Sequence, residues 1–96
     1  MKKASYFLLM ILLLACSAET HKIRVILDTD ANNELDDQHA IAYLIGNSDI
    51  FHIEGITTNR TWNGGMVDEH TREAGRIVHL CGVSGQFPVI SGANGN

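Results

Sequence analysis

Ile23-Arg24-Val25-Ile26-Leu27-Asp28-Thr29-Asp30-Ala31-Asn32-Asn33-Glu34-Leu35-Asp36-Asp37 sets an apolar run directly against an acidic one. Its first part, Ile23 to Leu27, reads as a β-strand, and so continuous an apolar run predicts burial on both faces, as in a parallel sheet. The ten residues from Asp28 to Asp37 hold five of the chain's eleven carboxylates. Like charges this close repel and raise one another's pKa unless something positive sits among them, so a bound cation is the economical explanation. The donors are all oxygen, with no Cys nearby, which selects a hard ion, Ca²⁺ or Mg²⁺, over Zn²⁺. After the acids, Asp37 to Ile45 reads as a helix. Ala40, Ile41, Leu44 and Ile45 share one face of it, and Gly46 is expected to supply the left-handed residue that stops it. The acids therefore fall at the carboxyl end of a strand, where open α/β sheets place their ligands.

Further along, Asn47 to Asp49 reads as a turn and Phe51 to Thr57 as a second strand, ending at Thr58-Asn59. Trp62-Asn63-Gly64-Gly65 reads as a loop. Val67, His70, Ala74, Ile77, Val78 and Cys81 recur at spacings of three and four, the stripe of a second amphipathic helix, stopped by Gly82. Pro88-Val89-Ile90-Ser91 is a short third strand, with Pro at its start where a missing N–H does least harm. The order β-α-β-α-β with short links predicts an α/β fold with a right-handed, Rossmann-like parallel half-sheet.

Before all this, Lys2 and Lys3 precede an apolar run from Tyr6 to Ala15 and the small residues Ala15-Cys16-Ser17-Ala18. That is the pattern of an export signal over residues 1–20, and the run falls short of the roughly 20 apolar residues of a spanning helix. Leu13-Leu14-Ala15-Cys16 also resembles a lipobox, so that lipid anchoring through Cys16 stands beside plain secretion, in either case placing the protein in or beyond a bacterial envelope. Residues 21–96, about 75 to 80 in number, are short for an α/β domain and are expected to be the first portion of a longer one. The net charge of −4, with no basic stripe past the signal, argues against nucleic acid as a partner. A Cys16–Cys81 disulfide is an alternative to a lipidated Cys16.

Three chemistries place Asp-x-Asp in such a setting. In an EF-hand-like calcium loop, Asp28, Asp30, Asn32, Glu34 and Asp36 would fall at alternating ligand positions. Asn33 then stands where Gly is needed, His39 stands where the bidentate Glu belongs, and the preceding element is a strand. Asp28-Thr29-Asp30 after an apolar strand also resembles the nucleophile motif of haloacid-dehalogenase-type phosphatases, with Asp28 attacking phosphorus, but this leaves Asp36 and Asp37 without a task. The third resemblance is to the inosine-uridine-preferring nucleoside hydrolases. That family opens with an apolar strand, Asp-x-Asp-Pro-Gly-x-Asp-Asp, and an Ala-rich helix, here Val25-Ile26-Leu27-Asp28-Thr29-Asp30, Leu35-Asp36-Asp37 and Ala40-Ile41-Ala42. Ile56-Thr57-Thr58-Asn59 resembles its second strand, and Phe87-Pro88-Val89-Ile90-Ser91-Gly92-Ala93 its third. The link Ala31-Asn32-Asn33-Glu34-Leu35 is two residues longer than the family's, which could bring Asn32 or Glu34 into the site.

The resemblance implies the N-terminal part of the nucleoside hydrolase fold and hydrolysis of the N-glycosidic bond of a nucleoside or other ribosyl compound. The cofactor it implies is Ca²⁺, which orients the ribose diol and acidifies a water. On this match Asp30 is the base and a metal ligand, Asp37 a metal ligand, and Asp36 an acceptor for ribose hydroxyls. Asn59 lies near the sugar, and Asp28 supports the site through backbone N–H groups. The family's remaining ligands lie later in its fold, so the chain alone is expected to be inactive, while homo-oligomerisation of a full-length form stays open. A non-catalytic calcium-binding module is the alternative from another class. Asp36 and Asp37 also suit the first turn of a helix, whose dipole favours negative charge. His39 and His70 are expected at the helix surface or the edge of the core, Trp62 packed on its own domain, and Glu69 and Glu73 in solvent, pairing at most with Arg72 or Arg76.

Overall fold

The computed structural model describes residues 21–63 and 65–94. The expected export signal, with Cys16 and any Cys16–Cys81 disulfide, lies outside the described residues, as does Gly64 of the Trp62–Gly65 loop. Five elements follow in order: β1 (Ile23–Thr29), α1 (Leu35–Gly46), β2 (Phe51–Thr58), α2 (Val67–Leu80) and β3 (Val89–Ser91). The strands form one sheet in the order β1-β2-β3, and both pairings are parallel. The result is a small α/β unit with a Rossmann-like β-α-β-α-β arrangement. None of the described helices is long and apolar enough to cross a membrane.

Register decides which side chains face the helices. Leu27 pairs with Ile56 and Ile56 with Val89, while Thr29 pairs with Thr58 and Thr58 with Ser91. This face meets Ile41 of α1 and Ala74, Ile77 and Val78 of α2, which with Ala31 and Ile56 form the buried core. Leu27, Ile45, Val83, Phe87 and Val89 pack around it. Both helices thus cover the same side of the sheet. The expectation that β1 is buried on both faces is corrected accordingly. Val25, Leu27 and Thr29 turn inward, whereas Arg24, Ile26 and Asp28 are exposed, Ile26 at 69%. An apolar run shows that a strand can be buried on two sides, and the number of covering layers decides whether it is. The register slips once, between Val25 and Ile26, so that Glu54 is the extra residue of a bulge in β2.

The helix ends also depart from expectation. Helix α1 begins at Leu35, two residues early, and keeps Asp36 and Asp37 in its first turn. Gly46 is the last helical residue and does not have positive φ; Asn47 closes the helix instead, its N–H reaching the carbonyls of Tyr43 and Leu44 and its Nδ2 donating to Tyr43 O at 2.8 Å. Gly82, at φ +75°, ends α2 in the expected left-handed conformation. At the start of α2, Glu69 Oε2 accepts the Met66 N–H (2.9 Å), so Glu69 is a capping residue. Glu73 pairs with Arg76 through two hydrogen bonds, as one of the expected pairings has it. The α2 stripe is buried from Val67 to Val78, but Cys81 is exposed. Trp62 is fully exposed and does not pack on its own domain.

Candidate functional site

Strand β1 ends at Thr29, and the chain turns at once: the Asp30 carbonyl accepts the Asn33 N–H at 2.7 Å. The turn aims Asp30 at the first turn of α1. There the Asp30 N–H donates to Asp37 Oδ2 at 3.1 Å, so that residues seven apart in sequence are joined. Their carboxyl groups also meet. The Asp37 carboxyl is held above the usual carboxylate range, first because it shares a hydrogen bond with the Asp30 carboxyl and second because it is partly buried. A cation placed between the two acids would relieve the repulsion that raises Asp37.

Asn33 completes this half of the site, its Nδ2 donating to Asp30 Oδ2 at 3.0 Å. The longer link does bring an amide to Asp30, but it is Asn33. Glu34 is exposed at the N-cap of α1, and the Asn32 side chain is exposed. The backbone of Asn32 is held elsewhere: its N–H donates to Nδ1 of His70 at 3.1 Å. His70 is fully buried, on α2, and not at the edge of the core as expected. Gln38 Nε2 adds a further tie, to the Ala31 carbonyl at 3.3 Å. His39 is exposed on α1, in line with a surface position.

Asp28 and Asn59 form the second half. By strand alternation Asp28 projects from the side of the sheet away from the helices. Its Oδ1 accepts Thr57 Oγ1 (2.8 Å) and its Oδ2 accepts Nδ2 of Asn59 (2.9 Å). Asp28 thus holds neighbouring side chains and not the backbone N–H groups foreseen for it. Asn59 is fixed at both ends, because its N–H donates to the Thr29 carbonyl at 3.1 Å. The structure therefore brings Asp30 together with Asp37, and Asp28 together with Asn59. Asp36 is exposed in the first turn of α1. Behind the strand ends runs a chain of hydroxyls. Thr71 Oγ1 donates its one proton to the Val67 carbonyl (2.9 Å) and so accepts from Thr58 (2.7 Å) and Ser91 (2.8 Å).

The donor chemistry of Asp30 and Asp37 fits a hard divalent ion, since both are carboxylates and both lie at one strand end. Among the described residues no third His, Cys, Asp or Glu joins them to make a metal-holding group. Two carboxylates supply part of the six to eight oxygens that Ca²⁺ takes, and carbonyls, amide oxygens, substrate and water are the remaining sources. A cleft of about 170 Å³ lies at the opposite, amino ends of the strands, lined by residues including Lys22, Phe51, His52 and Phe87. It contains no carboxylate and is separate from the acids. The chain matches no family model, no curated protein and no solved structure in the three comparisons made.

Proposed function

We propose that the strand-end acids are the metal and sugar site of a hydrolase that cleaves the N-glycosidic bond of nucleosides or related ribosyl compounds. The observation that carries this reading is the Asp30–Asp37 pair, two acids joined through the Asp30 N–H and Asp37 Oδ2 (3.1 Å) at the carboxyl end of a parallel strand. Such a site must accept a proton from water and stabilise an oxocarbenium-like sugar. Asp30 is the proton acceptor, its carboxylate steadied on one oxygen by Asn33. Asp37 and Asp30 would hold Ca²⁺, which when bound supplies the positive charge that orients a ribose diol and acidifies water. Asn59, locked by Asp28, presents an amide at the end of the neighbouring strand, where it can meet a sugar hydroxyl. Asp36 is free in the first turn of α1 to accept from another.

The test uses the protein in its full natural length. Release of ribose from a nucleoside, lost with chelator, restored by Ca²⁺ and lost in Asp30→Ala, supports the hydrolase. Calcium uptake without any cleavage supports the non-catalytic module. Calorimetry that registers no uptake of Ca²⁺ or Mg²⁺ overturns both.

A further inference from the structure

We infer that His70 is a positioning residue for the Asp30 turn: a buried imidazole on α2 whose unprotonated Nδ1 accepts the Asn32 N–H and so fixes where Asp30 and Asn33 point. The bond spans 38 residues of sequence and is 3.1 Å long. A backbone N–H can only donate, so Nδ1 must present its lone pair, and the ring proton of the neutral tautomer sits on Nε2. Nε2 is itself buried without a partner among the described residues, and His70 is 0% exposed. A side chain wanted only for filling would be apolar here, because an unmet buried donor costs stability. The acceptor on the other side of the ring gives a reason for a histidine. Asn32 lies between Asp30, which forms the turn through its carbonyl, and Asn33, which returns to the Asp30 carboxylate. Holding that one N–H therefore holds both groups.

That the turn serves a cation rests on the function proposed above; that His70 holds the turn does not, and the experiment separates the two. Nitrogen-15 spectra of the imidazole and amide hydrogen exchange are recorded on wild type, His70→Asn and His70→Leu, together with calorimetric titration of calcium chloride. Asn places Oδ1 near the lost Nδ1 but leaves a void, whereas Leu fills the space and accepts nothing. Packing alone would make Leu the better replacement; positioning makes Asn the better one. The expected results are a wild-type proton on Nε2 and slow exchange at the Asn32 amide in wild type and His70→Asn, lost in His70→Leu. Calcium affinity should be near wild type in His70→Asn and lower by about tenfold in His70→Leu, the size of effect one unmet buried hydrogen bond produces. A proton on Nδ1, or an Asn32 amide equally protected in His70→Leu, overturns the inference. If wild type takes up no calcium while the spectra and exchange come out as expected, the functional reading fails and the role of His70 stands. Should His70→Leu not fold, His70→Phe supplies the acceptor-free ring, and the wild-type tautomer still decides.

Discussion

Asp37 carries the charge conflict of the site, and its titration has a definite sign. A carboxyl whose folded pKa is raised binds its proton more tightly in the native state than in the unfolded one. Its contribution to stability is then full below the unfolded value, near pH 4, and is lost as pH rises through the raised folded value. Glu54 and Glu73 are shifted the other way, by Arg24 and Arg76 respectively, and favour the fold as pH rises. The measurement is therefore a difference: denaturation of wild type and Asp37→Asn, in chelator, at steps from pH 4 to 7. Wild type should lose stability relative to the variant across that range, and saturating calcium should reverse the trend because the ion takes the place of the proton. Identical profiles for the two proteins would remove the conflict. That acids gather at a strand end was legible in their crowding, whereas the choice of Asp30 and Asp37 among the five came only with the family resemblance. The parts played by Asn33 and His70 were not legible, because each depends on where a loop backbone lies in space. A histidine inside an apolar stripe gives no sign in sequence of an N–H 38 residues upstream.

At the level of elements, the order and the approximate limits of all five could be read from apolar periodicity, while the helix stop after Ile45 could not. Gly46 resembles a left-handed terminator in sequence, yet Asn47 does that work through its own side chain and N–H. Two glycine substitutions separate these possibilities. A Cβ on Gly46 meets nothing within 4 Å, and its φ is not positive, so Gly46→Ala should raise stability by about 0.4–1 kcal/mol through a less free unfolded chain. A left-handed Gly46 would instead make alanine destabilising. Gly92, just past β3, behaves oppositely. A Cβ there collides with the Thr58 carbonyl, which also accepts the Gly92 N–H at 2.9 Å. Gly92→Ala should cost about 1–3 kcal/mol, as overpacking does, and should loosen the Thr58–Thr71–Ser91 hydroxyl chain. Equilibrium urea unfolding of the two variants checks both signs.

For the molecule as a whole, the unequal treatment of the two sheet faces is the feature that sequence could not reveal. Ile26 and Leu27 are adjacent, similar in hydropathy and part of one run, but Leu27 packs beneath the helices and Ile26 stands 69% exposed opposite them. Ile90 of β3 is also on the open side, at 54%. Two helices on one face leave nothing among the described residues to cover the other, which is unusual for a parallel sheet. The consequence is measurable in the 96-residue chain. Ile26→Thr should change its stability by less than about 0.5 kcal/mol, as exposed substitutions do, whereas Ile56→Ala, at 1% exposure, should cost about 2–5 kcal/mol. If both substitutions destabilise by similar amounts, the open face is covered in solution. Repeating the unfolding at several protein concentrations then tells self-association from cover supplied within one chain, because only the former makes the midpoint rise with concentration.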